Sequence, residues 1–195
     1  MVTWIAALAC ALGLLTRYKL IAGAAASTEA TWPEDTHLVA KPGIPTVLLF
    51  AHPRCPCTRA SLTEFRELMS DFEGRVSATV VFMRPDGTPI AWEKSDTWKQ
   101  ANEIRGVTVL TDEGARETQR FGVKTSGHVV AYGPSGELIF AGGITASRGH
   151  VGENAQLAEL RERLERVVTV HERRTASVMT SGPVYGCPMN EGPAR

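Results

Sequence analysis

Cys55 and Cys57, one residue apart in His52-Pro53-Arg54-Cys55-Pro56-Cys57-Thr58-Arg59, are the residues of this chain best suited to chemistry. A thiolate is the nucleophile of disulfide exchange and also the form that binds metal. The apolar run before this segment and the helical spacing after it place the cysteines where a strand gives way to a helix. Such a junction favours ionisation, because a helix N-terminus presents unpaired N–H groups and the positive end of its dipole. Arg54 and Arg59 add positive charge, and Pro56 suits an early helical position, where no N–H is needed. A disulfide spanning a single residue closes a small, strained and easily reduced ring. The alternative is a resolving thiol from the tail, Cys187 in Gly186-Cys187-Pro188-Met189. A third option is a soft ligand set for Cu(I) or zinc, built from Cys55, Cys57 and Cys187 with His52, His150 or Met189. His52, three residues before Cys55, reads equally as a base, a ligand or the polar end of a loop. Thr58 is placed to bond a thiolate at Cys55, in competition with nearby backbone.

Two further stretches carry candidate groups. The loop Gly142–His150 follows a strand end, and its Arg148 or His150 would stabilise a thiolate or move a proton if it reached the thiols. The bland alternative is a surface loop whose Arg and His pair locally. Its glycines do not form a phosphate cradle, since neither G-x-G-x-x-G nor G-x-x-x-x-G-K occurs. His128 opens another strand, where a solvent-exposed histidine is one reading.

These groups must be held by a domain, and the chain has room for one with a leader and a tail: 195 residues, 43% hydrophobic and 22% charged. Lys plus Arg and Asp plus Glu both number 21, which argues against a nucleic-acid partner. Residues 46–50 and 76–83 are continuous apolar runs of the kind buried in a sheet. Between them Leu62, Phe65, Met69 and Phe72 recur at helical spacing, so the unit is β-α-β with parallel strands and a right-handed crossover. A helix over 94–105, a strand over 107–111 and a short helix over 113–121 follow. Strands 128–132 and 137–141 flank the turn Gly133-Pro134-Ser135-Gly136 as a hairpin. Leu157, Leu160, Leu164, Val167 and Val168 mark an amphipathic helix over 156–171. The class is therefore α/β, a mixed sheet flanked by helices over 44–171, with a tail over 172–195.

Residues 2–15 carry no charge and would cover roughly 21 Å as a helix. The segment 1–26 reads either as a cleaved signal peptide, with Ala24 and Ala26 as the processing site, or as a signal anchor with Arg17 and Lys19 snorkelling. A buried helix of the domain ranks below both. Arg17 and Lys19 follow the apolar run, which by charge alone would keep the domain on the cytoplasmic side; a basic stretch further upstream would remove the conflict. Export is the favoured expectation. Residues 27–43, rich in Pro, Thr and acidic residues, read as a linker. Without the leader three cysteines remain, an odd count for an exported domain.

The strand–cysteine–helix junction, Val107–Asp112 followed by a short helix to Phe121-Gly122-Val123, the hairpin Val129–Tyr132/Glu137–Phe140 and the last helix together resemble the thioredoxin superfamily. The resemblance covers about residues 44–170 and is greatest to its exported TlpA-like branch and to RedB-like proteins. It implies a thioredoxin-like fold and a thiol:disulfide oxidoreductase at or outside a membrane. Protein thiols and disulfides would be its substrates, a peroxide less so, and no cofactor is implied. Matching Thr58-Arg59-Ala60 to the family puts Cys55 at the first cysteine position, Thr58 at the second and Cys57 between them. The family's substrate-facing cis-proline falls near Gly127 in Thr125-Ser126-Gly127-His128, where this chain has none, and the resemblance makes His128 beside it a candidate to face substrate. A copper or zinc assembly factor and a non-catalytic thioredoxin-fold interaction module are the competing readings.

Overall fold

The computed structural model describes residues 2–170 and 182–189. A five-stranded mixed sheet organises the domain, in the order β3-β2-β1-β4-β5. Its central strand β1 (Thr46–Ala51) is buried at every position. Val47, Leu49 and Ala51 enter one apolar cluster and Leu48 and Phe50 enter another, which is why the run is continuous rather than alternating. Helix α2 (Thr58–Asp71) crosses over to β2 (Ser77–Arg84), which lies parallel to β1 with Val47 opposite Ala78. Strand β3 (Val107–Glu113) continues the parallel half on the outside of β2. The hairpin β4 (His128–Tyr132) and β5 (Leu138–Gly143) adds the antiparallel half on the other side of β1.

Helices cover both faces. Leu62, Phe65, Leu68, Met69 and Phe72 at the α2 side meet Leu157, Leu160 and Leu164 of α5 (Ala155–Val170) on the first. Ala101 of α3 (Asp96–Asn102) and Ile104 just beyond it join that cluster. On the second face lie Phe121 and Val123, which follow α4 (Arg116–Arg120).

Several boundaries differ from those read in the sequence. Helix α3 begins later than residue 94 because the Ser95 hydroxyl accepts the Trp98 N–H as its N-cap. Helix α4 begins after Gly114 and Ala115, whose φ values of 67° and 55° are left-handed. Its free N–H groups go to the Asp112 carboxylate, which accepts from Glu117 and Thr118 at 2.8 Å each. Strand β5 runs on to Gly143, two residues past its expected end.

The stretch 27–43 is not a free linker. Trp32 packs edge-on against Phe121 and Tyr132 at 5.4 and 5.2 Å between centroids, and Leu38 is buried in the second cluster. Backbone bonds Trp32 N–H to Gly136 O and Leu138 N–H to Ala30 O, both 2.8 Å, add a short edge to the hairpin. Thr36 bonds the Glu117 carboxylate, and Asp35 pairs with Arg120 at 2.9 Å. Two apolar residues in a polar stretch have no period to detect, yet each finds a pocket.

The leader forms α1 (Val2–Leu20), a 19-residue helix whose Trp4, Leu8, Leu12 and Leu15 are exposed. Among the described residues no helix is long and apolar enough to cross a membrane. The chain after α1 turns onto the domain: Gly23 N–H bonds Val184 O at 2.8 Å, and the Thr125 hydroxyl bonds Ala24 O at 3.0 Å.

Candidate thiol site

Cys57 is the N-cap of α2, so Cys55 sits in the last turn of loop before the helix, where the backbone N–H groups of Cys57 and Thr58 support its sulfur. That loop is pinned from several sides. Cys55 N–H and the Thr58 hydroxyl both donate to His52 O at 3.1 Å. His52 N–H donates to the Ser126 hydroxyl at 2.9 Å, and Ser126 and Thr58 share a further hydroxyl bond of 2.9 Å. The Thr97 hydroxyl holds Pro53 O at 2.9 Å. Thr58 therefore does not spend its side chain on the Cys55 sulfur; its contribution there is the backbone N–H. His52 is buried, its Nδ1 accepts the Arg54 N–H at 3.1 Å, and its ring meets the Trp92 edge at 5.8 Å.

The tail returns to this junction. Cys187 N–H points at Cys55 Sγ, 3.3 Å away, and the two side chains are also hydrogen-bonded. The register is held by backbone: Ser126 N–H to Cys187 O and Met189 N–H to Lys124 O, both 2.9 Å, with Thr125 and Pro188 as an antiparallel bridge. Met189 is fully buried in the second cluster.

Electrostatics separate the three thiols. Burial opposes ionisation of Cys55, but the Cys187 thiol and the backbone N–H groups of Cys187, Cys57 and Thr58 outweigh it, and its pKa falls below the ordinary thiol value. Burial raises Cys57, and the charge on Cys55 raises it further against an opposing contribution from Arg148. Cys187 is pushed up to about 12, by burial first and then by its bond to Cys55 and the charges of Cys55 and Cys57. One ionisable centre thus has two protonated neighbours.

Arg148 is the cation at this centre. Its guanidinium donates to Gly186 O, bonds Cys57, and lies 4.9 Å over the Tyr18 ring; its backbone N–H reaches Lys19 O at 3.1 Å. Arg54 instead stacks on Trp92 at 4.4 Å, and Arg59 is exposed. His150 is exposed, its backbone closing a turn onto Ser147 O at 3.2 Å, so the loop delivers one of its two candidates. Replacing Arg148 by Met removes the influence that lowers Cys57 and Cys187. Their alkylation is expected to require higher pH than in the parent, with Arg148→Lys partly restoring it. Alkylation–pH profiles that coincide for Arg148→Met and the parent would exclude that role.

His128 is buried rather than exposed, with no hydrogen-bond partner among the described residues at either ring nitrogen, and burial drives its pKa to about 4. Gly127 beside it has φ +88°, and a Cβ there would stand 2.7 Å from the Ser61 hydroxyl. The position aligned with a cis-proline is thus filled by a glycine donating its N–H to Phe50 O at 2.8 Å, and no cis peptide occurs among the described residues. Ser126 and Trp92 went unnoticed in the sequence. Ser126 was within reach, since it lies in the segment aligned with the family's substrate-facing loop.

The copper or zinc set of Cys55, Cys57, Cys187 and His52 is not assembled. Among the described residues no group of three or more His, Cys, Asp or Glu is arranged to hold a metal ion. Nδ1 of His52 is committed to Arg54, His150 stands in solvent, and Met189 is sunk in the core.

The strand order, the parallel β1-α2-β2 unit with thiols at the α2 N-terminus and the following antiparallel hairpin define a thioredoxin-like fold. Solved structures share the architecture. An uncharacterized conserved protein from Geobacillus kaustophilus matches with a TM-score of 0.63 at 19% identity, over 90% of this chain and 95% of that one. A hypothetical protein from Sinorhizobium meliloti 1021 matches with a TM-score of 0.59 at 17% identity, over 87% and 93%. The structure of MTB dsbF matches with a TM-score of 0.47 at 19% identity, over 66% and 83%. For the first two, at such identities, the likeness is one of fold. No family model and no curated protein matches the chain.

Proposed function

We propose that the protein is a thiol:disulfide oxidoreductase in which Cys55 is the nucleophile and Cys187 the resolving thiol. The observation that carries this reading is the contact between the two, Cys187 N–H to Cys55 Sγ at 3.3 Å, together with the lowered pKa of Cys55. The Cys55 thiolate attacks one sulfur of a substrate disulfide. A Cys55–substrate disulfide forms, and the other substrate sulfur leaves as a thiolate and takes up a proton. Cys187 then loses its proton and attacks the Cys55 sulfur; the Cys55–Cys187 disulfide forms and the second substrate sulfur departs. Two electrons pass from the protein dithiol to the substrate, and the reverse sequence oxidises a substrate dithiol.

The high pKa of Cys187 suits this order of events. While Cys55 is charged, Cys187 keeps its proton and donates it to that charge. Once Cys55 is bonded to substrate, its charge and its demand for a hydrogen bond vanish. Burial remains, but the contributions of Cys55 that hold its proton on are gone, and Cys187 is more acidic than before when it must attack. Cys57, protonated and bonded to both Cys55 and Arg148, serves as a supporting donor. We assign the protein to the exported side, with protein thiols as substrates. Support for this comes from the apolar exposed α1 and the Ala24 and Ala26 pair after it, either as a cleaved leader or as an attachment to the membrane.

A disulfide map of the full chain, taken across a thiol redox titration after chelator treatment, tests the assignment. Reversible pairing of Cys55 with Cys187 is expected. Pairing of Cys55 with Cys57 would transfer the resolving role to Cys57, and three unpaired thiols at oxidising potential would remove dithiol chemistry altogether.

A further inference from the structure

The tail does more than bring a thiol. Its backbone runs antiparallel to 124–126, giving Cys187 O to Ser126 and Met189 N–H to Lys124 O, as an added strand would. Upstream, Gly182 N–H bonds Ala141 O at 3.1 Å, and the tail lies on the bare end of β5. A Cβ at Gly143 would come within 2.7 Å of Pro183 O, so the paired glycines of β5 provide the floor of a groove. The groove is selective at two places. A Cβ at Gly186 would overlap the Ser126 carbonyl oxygen, which is backbone and cannot turn aside. Two residues past the cysteine, Met189 fills an apolar pocket in the second cluster.

We infer that this groove is a peptide site occupied in cis by the chain's own tail. It accepts an extended segment of the form Gly-Cys-x-apolar, with the cysteine delivered to Cys55. The inference rests on the exchange reading for the fate of that cysteine and on backbone geometry for the rest. The docked tail keeps Cys55 at 2% exposure, so a protein substrate gains access only as the tail leaves. Return of the tail peels the peptide away and presents Cys187 to the same sulfur, which makes resolution and release one event. An in-cis occupant lowers apparent affinity for an outside peptide by the fraction of time the groove is free.

The test uses the full-length reduced chain and a labelled peptide, Tyr-Gly-Ser-Pro-Met, in which serine prevents covalent capture. Fluorescence anisotropy reads binding to the parent, to Gly186→Ala and to Met189→Asp. Both substitutions weaken the tail's seat, Gly186→Ala by backbone overlap and Met189→Asp by withdrawing a buried apolar side chain, and circular dichroism melts verify the fold. The peptide is expected to bind each variant about 10-fold more tightly than the parent. Tyr-Ala-Ser-Pro-Met and Tyr-Gly-Ser-Pro-Asp are expected to bind the variants about 10-fold more weakly than the first peptide. Iodoacetamide is expected to modify Cys55 faster in both variants. Equal affinity for the three peptides, or no gain over the parent, overturns the inference. Loss of exchange with peptide discrimination intact would overturn the oxidoreductase reading alone; exchange without discrimination would overturn the groove alone.

Discussion

Cys55→Ser is expected to lower thiol–disulfide exchange by about 100-fold or more, to the level of free thiols at the same pH. Cys55 alone has its pKa lowered; Cys57 is raised and Cys187 stands near 12, so neither supplies much thiolate at neutral pH. Cys187→Ser should behave differently. The first attack survives, because three of the groups that support the Cys55 anion are backbone N–H groups, including that of residue 187 itself. The second step fails, and mixed disulfides on Cys55 should accumulate and appear on non-reducing gels. Cys57→Ser should leave turnover closer to the parent and shift the pH profile. An insulin-type reduction assay, run beside mass spectrometry of trapped adducts, reads all three. Full turnover in Cys55→Ser, or adducts on Cys57 instead of Cys55, would contradict the assignment.

Acid should destabilise the domain through His128. Its pKa drops from the usual 6.5 to about 4 in the folded state, because burial disfavours the charged ring and no partner among the described residues compensates. A depressed histidine means that the unfolded chain binds the proton more readily. Stability from this residue is therefore complete above pH 6.5 and lost as pH falls toward 4, where the loss reaches about 3 kcal/mol. His128→Leu removes the titrating group, so its stability should change less over that window than the parent's. Urea unfolding at pH 7, 5.5 and 4 measures the difference. Parallel curves for parent and variant would show that the ring is protonated in the folded state or solvated in a way its burial denies.

The sequence made the sheet legible where local physics decides the outcome. A continuous apolar run marked β1 because both of its faces are covered, and helical spacing marked α2 because only one of its faces is. Cys55 and Cys57 were legible as chemistry because the junction of those two elements creates a site for a thiolate. The parts that escaped are long-range. Arg148 and Cys187 lie some 90 and 130 positions beyond Cys55, and only folding brings them to it. Both were candidates by residue type, but His150 was an equal candidate and the loop's turn at Ser147 sends it outward. Trp32 and Leu38 were missed because isolated apolar residues carry no period. A strand-start histidine such as His128 suggests exposure, whereas pairing of its strand with Phe50 and Gly143 on either side encloses it.

The tether between Cys187 and the domain also governs the lifetime of any complex. A thiol on the same chain competes at an effective concentration of about millimolar even when undocked. A free protein thiol of equal intrinsic reactivity at micromolar levels loses that competition by roughly a thousandfold. Exchange should then be insensitive to dilution after the first attack, and each encounter with a partner should be brief. Partners would escape co-purification with the native chain and be recovered covalently only from one in which residue 187 no longer carries sulfur.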